Sequence, residues 1–227
     1  MTRDSIKIYD ALKGDIIRLK YKPGTRFGEV EIARKYQVSR TPIRDVLKHL
    51  ECDGLVEVHS QSGTFVSKVD EHWIENTAYI RSAVEVQILS EVMSRLSEED
   101  FAHLRDILAG MKRLSEEQKG EEMRLAENYI ELDDAFHAYL SVKAGRMDIL
   151  KRLNQESSLY QRFRFLAFLR GNEEAELLYS IHERIVDVLE SKDRTKLPKV
   201  VYDHNNSSLV ALQKVKERHP EFFVYHP

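Results

Sequence analysis

The sequence predicts a mainly α protein: an N-terminal winged helix-turn-helix with a small β-wing, followed by a C-terminal all-helical bundle of six or seven helices. Three observations predict it. Apolar residues recur at helical spacing through most of the 227 residues. The chain has few breakers, with 9 Gly and 5 Pro. Two short β-type runs, Leu55–Val58 and Thr64–Ser67, flank a turn at Ser60–Gly63 just after a helical stretch.

Each element follows from its own residues. From Ser5 to Leu19, the residues Ile8, Tyr9, Leu12, Ile16 and Leu19 share a helical face, and Lys22-Pro23-Gly24 ends the helix in a turn. Gly28–Tyr36 reads as a short helix that buries Val30, Ile32 and Ala33, and Gln37-Val38 is a tight connection. Ser39 is placed to cap a third helix, with Pro42 in its first turn, where a missing N–H does no harm. This helix buries Ile43, Val46, Leu47 and Leu50 and stops at Gly54. Beyond Asp70 the spacing predicts helices over about 72–95, 98–118, 121–144, 147–169, 173–190 and 196–218. Ser97 and Gly120 are placed as caps. The end, Phe222-Phe223-Val224-Tyr225, is an apolar tail that packs on its own domain or on a partner. The boundaries expected are 1–70 for the winged domain and 71–227 for the helical one.

Composition excludes several classes. The chain is 42% hydrophobic and 32% charged, enough apolar content for two buried cores and too much for wholesale disorder. The single cysteine, Cys52, excludes an intramolecular disulfide framework and any multi-cysteine metal site. No apolar run approaches the roughly 18 residues that span a bilayer, and the charged N-terminal stretch is not a signal peptide, so a cytoplasmic protein is expected. The net charge of −3 hides an asymmetry: residues 1–70 carry 13 Lys and Arg against 10 Asp and Glu, whereas the remainder is acidic. A basic amino-terminal module can meet a phosphate backbone even where the whole chain is acidic.

On the third helix Arg40, Arg44 and Lys48 are spaced i, i+4, i+8, opposite the apolar set. Such a stripe can enter a major groove, where an Arg forks onto guanine and Lys or Thr meets phosphate. Ser39 and Thr41 at the helix start favour phosphate through the dipole. Taken alone, such a stripe more often does no more than solvate a surface helix.

The runs Val38-Ser39-Arg40-Thr41-Pro42-Ile43-Arg44-Asp45-Val46-Leu47, Leu50-Glu51-Cys52-Asp53-Gly54-Leu55-Val56 and Ser62-Gly63-Thr64-Phe65-Val66 resemble the DNA-binding domain of the GntR family of bacterial transcription regulators. Lys22-Pro23-Gly24 and Glu29-Val30-Glu31-Ile32-Ala33 match its earlier half, so the resemblance spans about residues 5–69. It implies that Arg40, Thr41 and Arg44 read or clamp double-stranded operator DNA and that the wing glycine, Gly63, approaches the minor groove. Some relatives carry a further DNA-contacting arginine where this chain has Val30; Arg34, one turn on, is the substitute candidate for a phosphate.

A second constellation lies in the larger domain. Asp133 and His137 stand one helical turn apart, His182 lies on the inner face of a later helix, and His204 early in the last one. Three imidazoles and a carboxylate suit a divalent metal ion, Zn²⁺ first and Ni²⁺ or Mn²⁺ as alternatives. Any one of these histidines alone is more often an ordinary core or surface residue, the reading kept for His72, His103, His219 and His226. Residues 72–218 resemble the FCD effector domain of the FadR subgroup, whose metal-binding members carry this Asp-x-x-x-His with two later histidines. The resemblance implies a metal at Asp133, His137, His182 and His204, and a small carboxylate effector met by Arg81 on the first long helix. An ordinary i, i+4 pair with Glu85 accounts equally well for Arg81. The chain departs from the subgroup at Ile181, Arg146 and Pro198, the last interrupting the usual start of the final helix.

The expectation is a homodimeric, ligand-responsive regulator that binds operator DNA and does not engage a membrane. The alternatives are a regulator with a metal-free pocket for an acyl chain or other apolar ligand, and a metalloenzyme. The last lacks both a separate general base and a nucleophile motif, and no catalytic residue is assigned.

Overall fold

A computed structural model describes residues 1–117, 122–155 and 158–225. By internal contacts the chain forms two compact units. One joins 1–71 with 156–163 and 216–227, and the other comprises 72–155 and 164–215.

In the first unit, α1 (Arg3–Ile17) starts on Thr2, whose hydroxyl accepts the Ser5 N–H at 3.2 Å. It ends two residues short of the expected stop, with Leu19 turned to φ 58°. Helices α2 (Glu29–Tyr36) and α3 (Arg40–Cys52) follow, joined across Gln37, which takes the left-handed conformation. Ser39 stands at the N-cap of α3 as expected, although its side chain makes no capping hydrogen bond. Gly54 adopts φ +71° just beyond the Asp53 cap, a conformation that costs other residues strain. Ile8, Leu12, Ile16, Ile32, Ile43, Val46, Leu47, Leu50 and Leu55 close one apolar core. Val30, expected in that core, is 54% exposed.

The wing is a three-stranded antiparallel sheet in the order β1-β3-β2. Strands β2 (Val56–His59) and β3 (Gly63–Val66) form the hairpin, one residue out of the expected bounds, with Val56 opposite Val66 and His59 opposite Gly63. The sequence gives no sign of β1, which is only Arg26–Phe27 and pairs Arg26 with Phe65. Two residues are too few to display an alternation.

The same unit contains the C-terminal tail. Phe222 and Phe223 are 5% and 3% exposed, Phe223 forms a parallel bridge to Val69, and the Val69 N–H donates to the Phe222 carbonyl at 2.8 Å. The tail therefore packs on its own chain. Buried Arg162 donates to the Ser67 carbonyl at 2.9 Å and its hydroxyl at 3.1 Å, and Lys216 pairs with Glu71. His219 stacks on Phe222.

The second unit is helical: α4 (Glu71–Val92), α5 (Glu98–Glu117), α6 (Glu122–Ala144), α7 (Met147–Gln155), α8 (Ser158–Ala167) with a 3₁₀ turn at Phe168–Arg170, α9 (Asn172–Glu190) and α10 (Leu197–Arg218). Glu71 of α4, residues 158–163 of α8 and residues 216–218 of α10 belong to the first unit. Ser97 caps α5 in a reciprocal box with Asp100, as the sequence suggests. Within the expected helix 147–169 the described residues form α7 and α8, and the expected cap Gly120 and His226 lie outside the described residues. Pro198 does not interrupt α10. It occupies the first turn, where its fixed φ suits a helix start and its lost N–H is one that has no helical partner. Among the described residues no helix is long and apolar enough to cross a membrane.

Candidate metal centre and nucleic-acid interface

Helix α6 carries Asp133 and His137 one turn apart, α9 carries His182, and α10 carries His204. The three histidines are buried, His182 completely. One donor atom from each of the four residues falls within a set whose members all lie within 4.8 Å of one another. Asp133 Oδ1 lies 2.9 Å from His182 Nε2 and 3.9 Å from Nε2 of both His137 and His204. His182 Nε2 is 3.4 Å from His137 Nε2. Zinc–nitrogen bonds of about 2.1 Å in a tetrahedron would set donors roughly 3.4 Å apart, inside this spread.

Donor chemistry also fits a cation. The His182 Nδ1–H donates to the Leu178 carbonyl at 2.8 Å, so in the neutral ring Nε2 presents a lone pair. That lone pair faces the Asp133 carboxylate and another imidazole nitrogen, an arrangement of acceptors that a positive ion at their centre resolves. Zinc, nickel or manganese would each suit such a nitrogen-rich, oxygen-containing set.

The surrounding groups hold these donors in place. Arg164 on α8 donates to Asp133 Oδ2 at 2.6 Å and to Asp134 Oδ1 at 2.7 Å, leaving Asp133 Oδ1 turned toward the histidines. Burial alone would raise the Asp133 pKa, but Arg164 and the imidazoles outweigh it and hold the carboxyl well below its ordinary value. Buried Glu85 on α4 accepts from Asn205 at 3.0 Å, and its carboxylate stands 3.7 Å from His204 Nδ1. A carboxylate behind a ligating imidazole fixes the ring's tautomer and raises its basicity. Burial works against charge on His204, yet Asp133 and Glu85 raise its pKa, whereas burial prevails at His137 and lowers it. Arg164, Glu85 and Asn205 were not recognisable as supports in the sequence, because each meets its partner across a long stretch of chain. Glu85 appeared there solely as an intrahelical partner for Arg81.

Arg81 is buried, donating to Glu85 at 3.3 Å and to Asn154 at 3.1 Å. The expected intrahelical pair therefore forms. Beside the donors lies a cavity of about 10 Å³, room for about one water, lined by Glu85, Ile88, Leu89, His137, Leu140, Ser141, Leu150 and Leu153. Of the three departures, Ile181 is buried and Arg146 pairs with Glu91 at 2.8 Å.

In the amino-terminal unit α3 presents Arg40, Thr41, Arg44 and Lys48 to solvent, opposite the buried Ile43, Val46, Leu47 and Leu50. Ser39 and Arg34 are exposed nearby, and Gly63 opens β3 at the wing tip with φ +107°. One carboxylate oxygen, Glu29 Oε2 at the start of α2, accepts from Arg40 Nη2 at 2.8 Å and from Arg44 Nε at 3.0 Å. The two arginines hold the Glu29 carboxyl below its usual pKa. Sequence spacing does not reveal the pairing: eleven and fifteen residues separate the partners, and the turn between α2 and α3 brings them together.

Two family models match the chain. One is described as bacterial regulatory proteins of the gntR family and covers residues 5–66, and the other is the FCD domain, covering 77–207. The chain is 24% identical over 217 residues to the HTH-type transcriptional repressor RspR of Escherichia coli, covering 96% of this chain and 92% of that one. It is 26% identical to the uncharacterized HTH-type transcriptional regulator YdhC of Bacillus subtilis, covering 95% and 94%. Among solved structures, Escherichia coli McbR/YncC matches with a TM-score of 0.66 at 19% identity over 94% of this chain and 99% of that one, a likeness of fold.

Proposed function

Because the chain belongs to the GntR family of bacterial regulatory proteins and carries an FCD domain, we propose that it is a cytoplasmic, homodimeric regulator that binds operator DNA under the control of a metal-dependent sensor. Residues 1–70 would bind DNA and 71–227 would sense and dimerise. Repression is the proposed mode, since the relative RspR is named a repressor.

On the DNA side, Arg40 and Arg44 are the proposed base or clamp contacts, with Ser39, Thr41, Lys48 and Arg34 on phosphates and Gly63 approaching the minor groove. Two copies related by a twofold axis would present their α3 helices to successive major grooves of a near-palindromic site. On the sensor side, Asp133, His137, His182 and His204 would hold a divalent ion, zinc in the first instance. When bound, that ion supplies a Lewis-acid position for a carboxylate oxygen. Arg164 and Glu85 orient the donors. We propose a small carboxylate as effector, met also by Arg81, whose guanidinium is matched to such a fork. With room for about one water beside the donors, a larger effector must part Leu150 and Leu153 from α4 and α6.

The observation that carries this reading is the buried meeting of one carboxylate and three imidazoles within 4.8 Å. The test is elemental analysis and native mass spectrometry of protein purified without a histidine tag. One divalent ion per chain is expected, lost in the variant carrying Ala at positions 133, 137, 182 and 204. Metal retained by that variant, or no metal in wild-type protein after incubation with zinc, nickel and manganese, defeats the assignment.

A further inference from the structure

The amino-terminal unit holds an arginine whose placement the recognition helix does not explain. Arg26 lies on β1, directly before Phe27. Phe27 is buried in the core with its ring edge-on to Tyr21 at 4.9 Å. Successive strand residues point to opposite faces, so burying Phe27 drives Arg26 outward. The strand is an edge strand tied to β3. Gly24 N–H donates to the Val66 carbonyl at 2.9 Å, Val66 N–H donates to the Thr25 carbonyl at 2.8 Å, and Arg26 stands opposite Phe65. The side chain therefore leaves a rigid base.

It then runs along β3 to the hairpin tip. A Cβ at Gly63 would stand 3.2 Å from Arg26 Nε and 3.5 Å from Nη2. The bare glycine is thus the seat over which this guanidinium lies. Arg26 is exposed, and among the described residues no hydrogen bond or ion pair engages its side chain. On α3, by contrast, Arg40 and Arg44 both donate a hydrogen bond to Glu29 and so share an internal counter-charge. The wing carries a cation with none.

We propose that Arg26 is a DNA-reading residue of the wing, presented by β1 and seated on Gly63, and that it enters the minor groove flanking the half-site occupied by α3. This inference rests on the proposed DNA-binding function. A narrow A·T-rich minor groove concentrates negative potential and favours an inserted guanidinium, so the ligand is a duplex whose flanks are A·T-rich. Gly63 then has a second use beside close approach of backbone to DNA: it clears the space in which Arg26 lies.

The experiment uses the full-length protein and a duplex selected by it from random sequence. A second duplex keeps the half-sites but replaces A·T pairs immediately outside them with G·C. Wild-type protein is expected to prefer the A·T-flanked duplex by about fivefold or more. Arg26→Ala should bind that duplex roughly tenfold more weakly and bring the preference close to one. Arg26→Lys should keep the salt dependence of wild type while losing much of the preference, since it keeps the charge but not the planar fork. Because Arg26 is exposed, unchanged circular dichroism and melting are expected for both variants. Retention of the wild-type flank preference by Arg26→Ala, whether or not overall affinity falls, overturns the inference. Arg40→Ala and Arg44→Ala form the separate arm: if they bind the selected duplex like wild type, the DNA-binding assignment of α3 itself fails.

Discussion

Glu174, on α9, is completely buried beside Arg170, whose Nη1 donates to it at 2.8 Å. Among the described residues its other carboxylate oxygen and the hydroxyl of buried Tyr129 have no hydrogen-bond partner. Arg170 and Lys214 favour the carboxylate and Tyr129 lies within its field, yet burial outweighs both cations and pushes the carboxyl up to about 7. The folded chain therefore holds a proton on Glu174 that the unfolded chain has already released at pH 5 to 6. A raised carboxyl pKa favours folding below that range, and the advantage is lost as pH rises through 7. Glu174→Gln, neutral at every pH, should abolish this slope. Wild type should lose on the order of 1–3 kcal/mol relative to the variant between pH 5.5 and 8.5, read from urea midpoints. Parallel pH profiles for the two proteins would show that Arg170 keeps the carboxylate charged throughout. No pattern in the sequence marks Glu174, because an acid at the start of a helix ordinarily faces solvent and favours the helix dipole. The metal donors were partly legible by contrast. Asp133 and His137 share a face by spacing alone, whereas placing His182 and His204 with them took family resemblance, since no local rule reaches from α6 to α10.

Among the elements, the C-terminal tail contributes most beyond its length. Starting directly after α10, it buries Phe222 and Phe223 and hydrogen-bonds through Phe222 and Val224 to Val69. Removing a buried phenyl ring costs about 3–5 kcal/mol, lost burial and residual cavity together. Phe223→Ala should therefore lower the unfolding free energy by that order, measured by urea titration. Tyr225→Ala, two residues on but 85% exposed, should stay within about 0.5 kcal/mol of wild type. Equal effects from the two would mean that the tail does not pack in solution. The tail is legible as apolar, but its partner is not: a bridge between Val69 and Phe223 spans most of the chain, and single-residue pairing has no periodicity. The long helices were the most legible elements, because ten or more residues of 3.6-fold spacing leave little ambiguity. Strand β1 and the ends of α1 were the least, being set by pairing with β3 and by a left-handed Leu19.

At the scale of the whole molecule, charge and connectivity argue for coupling between the two proposed sites. Residues 1–70 carry a net positive charge and the remainder a larger negative one, so a polyanion is attracted to one part of the chain and repelled by the other. The stretch Ser67–Glu71 connects them, and it is held by Arg162 at Ser67, by the tail at Val69 and by Lys216 at Glu71. Helix α4 starts at Glu71 and carries Glu85. Helix α10 carries His204 and runs into the tail. Groups behind and within the donor set thus sit on α4 and α10, and Glu71 of the first pairs with Lys216 of the second. Metal or effector binding should therefore change operator affinity, by about 5- to 150-fold if the coupling is of ordinary size. Thermodynamic reciprocity requires the operator to change metal affinity by the same factor. Titrating metal-free and metal-loaded protein into a selected duplex gives the first factor, and competition with a chromophoric chelator, with and without the duplex, gives the second. Identical operator affinity in the two metal states, unmoved by small carboxylates, would mean that the donor cluster is a structural centre and that the sensor lies elsewhere in the chain.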